Sequence, residues 1–114
     1  MRPYTGRILH IDLTDDARET WPQVCVSSNT ACQMQLRRLI ERLADMGKLQ
    51  SPEQIRDEGD GIWAIKARCG LRAYGYYDPH RRAVFVISHF VHKKRNKMDP
   101  ADHAKACNNR NGRR

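Results

Sequence analysis

Basic side chains cluster in a part of the chain that has the composition of β-strands. Lys66, Arg68 and Arg72 lie within or beside the segments 62–68 and 71–77, which are rich in β-branched and aromatic residues. Like charges that are held close together repel, so the cluster destabilises the protein unless an anion lies among the charges. Phosphate suits this position because arginine binds it in a bidentate manner. The pattern therefore favours binding of a phosphodiester and, in RNA cleavage, stabilisation of the charge that develops on it.

The hairpin around residue 70 decides which of these cations share a face of the sheet. A three-residue loop at 69–71 would place Arg68 opposite Arg72, and Lys66 opposite Tyr74, with all four on one face. A two-residue loop would move Arg72 to the face opposite Arg68. The sequence does not settle the register. The three-residue loop is favoured because it keeps three apolar residues together on the core-facing side: Trp63, Ile65 and Ala67.

A basic loop at residues 91–98 adds charge beside the same sheet. Its cations are Lys93, Lys94, Arg95 and Lys97. Tyr74 or Tyr76 could stack a nucleobase. His89 and His92 are the side chains there whose ordinary pKa is near neutrality, which makes His92, and after it His89, a candidate for proton transfer. A single histidine is more often a structural or surface residue, and that alternative stays open.

The first half of the chain must supply a scaffold for this cluster. Residues 7–13 alternate apolar and polar side chains, which predicts a strand. Residues 14–30 are polar, and Trp21-Pro22 predicts a break after at most a short helical turn. A helix then begins after capping candidates at 28–30 and ends at Gly47. Its apolar stripe recurs at three- and four-residue steps: Leu36, Leu39, Ile40, Leu43 and Met46.

The second half is predicted to form a meander of strands and a final helix. After an acidic loop at 50–61, three strand-like segments at 62–68, 71–77 and 82–90 are joined by short turns. Asp99 can cap a helix that has Pro100 at its first position. Residues 108–114 are interpreted as a frayed basic tail. The whole chain, 1–114, is predicted to be one domain.

Charge and composition narrow the function classes. The net charge is +8; residues 62–114 contain 13 Lys and Arg against 3 Asp and Glu, whereas residues 1–61 carry a small negative excess. A field of one sign attracts polyanions to one side of a molecule. No apolar run is long enough for a membrane span or a secretory signal, so a cytoplasmic protein without membrane contact is expected.

The cysteines are not spaced as in a common zinc site. None of Cys25, Cys32, Cys69 and Cys107 lies two to four residues from another. Scattered thiols in a cytoplasmic protein are usually reduced and partly buried. The expectation is therefore reduced cysteines, no metal and no cofactor; a metal site that joins His89, His92 and Cys107 is the less favoured alternative.

The second half resembles the RelE/ParE superfamily of toxin–antitoxin proteins, especially its HigB-like, phage-type branch. The similar stretches are IWAIKARCGLRAYGYY and AVFVISHFVHKKRNKMDPADHAKA, so the resemblance covers roughly residues 62–106. The first half is similar only in the order of its elements. The matching positions are Lys66, Arg68, Arg72, Phe90, Lys93, Lys94, Pro100 and Ala104.

The resemblance implies a fold and a function. The fold would be α+β, with a small antiparallel sheet, a helix from the N-terminal half packed on it and a short C-terminal helix. The function would be that of a ribosome-dependent, metal-independent endoribonuclease that cuts translated mRNA and is neutralised by a cognate antitoxin. Arg72 and Lys94 would stabilise the phosphate, while Lys66 and Arg68 would position it or assist proton transfer. The last helix lacks the tyrosine that some members use as an acid or base, and His103 is the nearest titratable group.

Two other functions are compatible with the sequence. A non-catalytic module could bind nucleic acid through the same basic face. The ParE branch keeps the fold but acts on gyrase, and a chain of that kind would damage DNA without cutting mRNA.

Overall fold

One six-stranded sheet organises the α+β fold. The structure is a computed structural model that describes residues 1–93 and 99–112. The strands are β1 (Tyr4–Thr5), β2 (His10–Leu13), β3 (Ile55–Asp57), β4 (Trp63–Lys66), β5 (Leu71–Tyr77) and β6 (Val84–His92). The helices are α1 (Asp15–Ser27), α2 (Thr30–Met46) and α3 (Pro100–Gly112). The predicted α+β class, with helices packed on a sheet, is confirmed.

The sheet is larger than predicted and one of its pairings is parallel. Its strand order is β1-β2-β6-β5-β4-β3. From β3 to β6 the strands form the predicted antiparallel meander, with β3 added at its edge. The parallel pairing is between β2 and β6. A parallel pair needs a long connection, and here two helices and the first strands of the meander supply it. Strand β6 therefore has a neighbour on each side, and its residues 84–90 are all buried.

Helices cover both faces of the sheet. The larger core joins apolar residues of α1 and α2 to one face, including Leu36, Leu43 and Phe85. On the other face, Ala106 of α3 is fully buried in a smaller apolar cluster with Tyr74 and Tyr76. We call these the α1/α2 face and the α3 face.

Helix α2 agrees with its sequence signals at both ends. The Asn29 side chain accepts a hydrogen bond from the Cys32 backbone N–H at 2.8 Å. Gly47 adopts a left-handed φ of 78°, and its N–H donates to the Leu43 carbonyl. Both capping signals are local, which explains why the prediction succeeded.

The irregular segment predicted at residues 14–30 is wrong, because α1 occupies most of it. Thr14 caps this helix by accepting a hydrogen bond from Ala17 N–H at 3.0 Å. Pro22 lies inside the helix but on its exposed side. Trp21 is 7 % exposed, and its ring lies 4.9 Å from the Phe90 ring. Burial of this indole offsets the hydrogen bond that the proline removes.

Three other boundaries also differ from the predictions. The acidic loop contains β3, whose Ile55 is buried against the core. Strand β6 continues to His92, and so includes the first two residues of the predicted basic loop. Helix α3 continues to Gly112, so residues 108–112 are helical and not a frayed tail.

The cysteines differ from the expectation of four reduced thiols. Cys32 and Cys69 form a disulfide, with their Cα atoms 5.8 Å apart, while Cys25 and Cys107 are free. The sequence separation of 37 residues hides this pairing from any short motif. The disulfide joins the first turn of α2 to the loop between β4 and β5.

None of the three helices, over the residues that the structure describes, combines the length and the apolar character needed to cross a membrane.

Candidate nucleic-acid interface

The β4–β5 hairpin places Lys66 directly opposite Arg72 on the α3 face. The backbone N–H of Ala67 donates to the Leu71 carbonyl at 2.9 Å, so the connecting loop comprises residues 68–70. Side chains directly opposite each other in an antiparallel pair lie about 5 Å apart at Cβ, and like charges there are destabilising. The strand pairing therefore holds two cations close together at one end of the sheet.

The favoured register is wrong by two residues. Arg68 lies in the loop and not opposite Arg72, and Tyr74 lies opposite Ala64 and not Lys66. The sequence could not fix the loop length, because it depends on which loop residue adopts a left-handed conformation. Gly70 does so, with φ of 99°.

The predicted distribution of side chains between the faces nevertheless survives. A register shift of two residues keeps every side chain on its own face. The apolar residues expected on the core-facing side all pack in the larger core: Trp63, Ile65 and Ala67. Lys66, Arg72 and Tyr74 consequently share the other face, as expected.

A cleft of about 950 Å³ opens beside this hairpin. One wall is segment 50–56 and the other is the end of the hairpin. Among residues 1–93 and 99–112, five cations contribute to the lining: Arg56, Lys66, Arg68, Arg72 and Lys93. Arg72 is only 5 % exposed, so its position is fixed by the sheet around it. Glu53 also lines the cleft and partly offsets the positive charge.

Arg56 is a member of the cluster that the sequence analysis missed. It pairs with Ala64 across the β3–β4 ladder, next to Lys66 on the same face. The segment IRD was interpreted as part of an acidic loop. The apolar Ile55, followed by two polar residues, was too short a signal to reveal a strand.

The cationic neighbours perturb Lys66. Partial burial lowers its pKa from the ordinary value of 10.5, and the positive charges of Arg72 and Arg56 lower it further. Glu58 and Glu53 oppose the shift. The lowered pKa means that Lys66 releases its proton more readily than an ordinary lysine does.

Lys93 reaches the same side of the sheet but is already paired. Its ammonium lies 2.7 Å from an Asp102 carboxylate oxygen. The ammonium also lies 5.7 Å from the centre of the Tyr74 ring. Asp102 raises the pKa of Lys93 against the effect of burial. Lys93 therefore contributes less net charge to an incoming anion than Lys66 does.

Tyr74 is buried on the α3 face next to Lys93. Its side chain is 1 % exposed, between Lys93 and His89, whose ring centre is 5.2 Å away. Stacking of a nucleobase needs an open ring face. The expectation that Tyr74 stacks a base is therefore wrong for this structure.

A buried polar network behind the cleft fixes α3 to β6. Asn109 donates to the Ser88 hydroxyl at 2.8 Å, and Ser88 contacts His89 Nδ1 at 3.0 Å. His89 Nε2 lies 3.2 Å from Asp102. Since Ser88 can donate to Nδ1, a neutral ring carries its proton on Nε2 and donates it to the carboxylate. Burial lowers the pKa of His89, and Asp102 opposes that effect.

His92 lies on the α1/α2 face, where the alternation along β6 directs it. Its Nδ1 is 3.0 Å from the Ser27 hydroxyl, and its Nε2 is 3.3 Å from the Cys69 carbonyl oxygen. Lys66 and Arg72 lie on the other face. The structure does not bring His92 together with these cations, so the expectation of proton transfer by His92 is wrong.

His103 does not compensate for the missing tyrosine. Its Nε2 lies 3.3 Å from Asp60 Oδ2 and 3.2 Å from the Gly59 carbonyl oxygen. It is not among the residues that line the cleft.

Three predicted site residues cannot be placed. Lys94, Arg95 and Lys97 lie outside the residues that the structure describes. The candidate interface within residues 1–93 and 99–112 thus rests on Lys66, Arg72 and Arg56, with Arg68 on the adjoining loop.

No protein-family model matches this chain, and no curated protein matches it significantly.

Proposed function

We propose that this protein is a toxin of the RelE/ParE type that binds mRNA on the translating ribosome and cleaves it without a metal ion. The observation that carries the proposal is the opposition of Lys66 and Arg72 at a cleft that Arg56 also lines. Such a pair costs free energy in the free protein, and an anion between the charges recovers it. A phosphodiester supplies that anion.

The chemistry of this proposal needs two kinds of group. The RNA 2′-oxygen attacks the adjacent phosphorus and forms a cyclic phosphate, while the bond to the 5′-oxygen breaks and that oxygen takes a proton from water. Arg72 and Lys94 stabilise the negative charge on the phosphorane. Lys66, with its lowered pKa, accepts the 2′-hydroxyl proton or helps to position the phosphate. Arg56 and Arg68 hold the flanking phosphates.

The proposed partners follow from the resemblance and the charge. The ribosome delivers a translated mRNA in the cytoplasm, a compartment that tends to reduce disulfides such as Cys32–Cys69. A cognate antitoxin would present acidic and apolar groups to the same cleft, because charge complementarity selects such a partner. Cofactors have no role in this mechanism.

Non-catalytic nucleic-acid binding is the second candidate function. The observation in its favour is that His92 and His103 lie away from the cleft. Among the described residues, Lys66 is then the main candidate for proton transfer, and catalysis has few groups to use. The same cations would then bind RNA without cutting it. Action on gyrase is less favoured, because the positive charge of residues 62–114 suits a nucleic acid.

The test is a translating extract in which the 5′ ends of mRNA are mapped by primer extension. Wild type is compared with Arg72→Gln and Lys66→Gln, and with Arg18→Gln as a matched control on the exposed surface of α1. Circular dichroism shows whether each variant is folded, which matters because Arg72 is buried. We expect new cuts with wild type and Arg18→Gln, only during translation, and a loss of at least about tenfold in Lys66→Gln.

The other outcomes separate the alternatives. Salt-sensitive RNA binding without cuts would support the non-catalytic module. Absence of both cuts and RNA binding from a folded wild type would exclude both proposals and direct attention to gyrase.

A further inference from the structure

A second cluster of reactive side chains lies where the loop before β4 meets α3. His103 and Cys107 are four residues apart on the helix, so they share one face of it. Asp60 lies on the loop that contacts this face. A carboxylate oxygen, one imidazole nitrogen and the Cys107 sulfur lie within 4.8 Å of one another. This cluster is separate from the cleft and does not include any residue of the proposed RNA site.

We infer that Asp60, His103 and Cys107 form a zinc site that tethers this loop to α3. Thiolate, imidazole and carboxylate are all zinc ligands, whereas the hard cations Mg²⁺ and Ca²⁺ avoid sulfur. Three protein ligands leave one tetrahedral position, which water or the Gly59 carbonyl oxygen can fill. The site is independent of the RNA-directed function.

A tetrahedral ion requires the three ligand atoms, which lie within 4.8 Å of one another, to come closer together. Ligands at zinc bond lengths lie about 3.5 Å apart. Cys107 Sγ lies 3.8 Å from His103 Nδ1, and Asp60 Oδ2 lies 3.3 Å from His103 Nε2. Because Cys107 contacts Nδ1 and Asp60 contacts Nε2, the imidazole must rotate for one of its nitrogens to face both partners. Asp60 is exposed and can follow that rotation, because its side chain is not packed in the core.

The neighbouring groups leave the three ligand atoms accessible. His103 and Cys107 are only partly buried. The guanidinium of Arg110 donates to the backbone carbonyl of Asp60 and not to its carboxylate. This contact orients the loop while the carboxylate remains directed at His103.

Direct metal titration tests the site. Untagged protein, with its disulfide intact, is titrated with ZnCl₂ against a chromophoric chelator, and with CoCl₂ while the thiolate-to-cobalt charge-transfer absorption is recorded. Wild type should bind one Zn²⁺ per chain and show the charge-transfer band. Its melting temperature should rise, because an ion that binds only the folded state stabilises it.

The matched variants are Cys107→Ser and Cys25→Ser, since these are the two free cysteines. Cys107→Ser should lose the charge-transfer band and at least about tenfold in Zn²⁺ affinity, and Cys25→Ser should keep both. Asp60→Asn, on the exposed loop, gives a second test in case Cys107→Ser does not fold, and it should also lose at least about tenfold in affinity.

Three results would overturn the inference. They are a folded wild type that binds no Zn²⁺, a charge-transfer band that persists in folded Cys107→Ser, and a folded Asp60→Asn with wild-type affinity.

Discussion

His89 shows how a single buried residue links pH to the stability of the fold. It is 1 % exposed, and burial lowers its pKa below the ordinary value of 6.5. The unfolded chain therefore binds a proton at a higher pH than the native chain does. Stability is complete above about pH 6.5 and decreases as the pH falls from there through the folded pKa.

The first prediction concerns this pH dependence. Urea unfolding from pH 8 to pH 5 should give a free energy of unfolding that falls below about pH 6.5 in wild type. His89→Gln, which can still donate to Asp102, should flatten the decrease. The charged groups that act on His89 are Asp102, Lys105 and Asp16. Equal slopes in the two proteins would show that His89 is not the origin of the pH dependence.

Lys66 supports a prediction of opposite effects on stability and binding. Lys66→Gln removes repulsion from Arg72 and Arg56, so the free protein should be more stable by about 0.2–1 kcal/mol. Added phosphate should raise the melting temperature of wild type more than that of the variant. Thermal unfolding with and without phosphate measures both effects. A variant that is less stable than wild type would mean that the repulsion is already compensated in the native state.

For single residues, the sequence predicted on which face of the sheet each side chain lies. It did not predict which groups surround that side chain. Period-two alternation was sufficient to place Lys66, Arg72 and Tyr74 on one side. Tyr74 is buried in an apolar cluster with Ala106, and Lys93 pairs with Asp102; both of these partners lie on α3. That packing is tertiary, and no local pattern encodes it.

At the scale of elements, the disulfide is the strongest link between the helical layer and the site. It joins α2 to the hairpin loop and closes a segment of 37 residues. Constraining a loop of this length in the unfolded chain is worth about 4 kcal/mol in the chain-entropy account. The loop carries Arg68 and adjoins Lys66, so the same link limits the motion of the cleft wall.

The element-scale prediction is therefore a loss of stability on breaking this link. Cys32→Ala with Cys69→Ser should lower the free energy of unfolding in urea by about 2–4 kcal/mol. Cys25→Ser is the control and should change little. Alkylation and mass spectrometry should find two reactive thiols in the native chain. Four reactive thiols in protein isolated under oxidising conditions would contradict the pairing.

Local signals explain which elements were predictable. Helix α2 has its caps and its apolar stripe within one continuous segment, so the sequence defined it. Helix α1 contains Pro22, which disfavours a helix. The contact that offsets this effect is the packing of Trp21 on Phe90, which lies far along the chain. The parallel pairing of β2 with β6 is similarly long-range, and alternation within each strand does not encode it.

At the scale of the whole molecule, the fold concentrates positive charge at one end of the sheet. The second half of the sequence carries the net positive charge, but Arg56 from the first half joins the same cleft. Asp102 neutralises part of the charge at Lys93. Composition alone therefore predicted that this surface is positively charged, but not which residues form it.

This arrangement makes the salt dependence of RNA binding a test of the interface as a unit. Each phosphate contact to single-stranded RNA contributes about −0.7 to the slope of log affinity against log salt concentration. Lys66→Gln should therefore weaken binding and make the slope less negative by about 0.7. Arg18→Gln should leave the slope unchanged, because Arg18 lies on α1 beside Asp15 and outside the cleft. Binding of a short single-stranded RNA is measured by fluorescence anisotropy at several salt concentrations. If both variants changed the slope equally, the RNA would be responding to net charge over the whole surface, and the cleft would lose its special role.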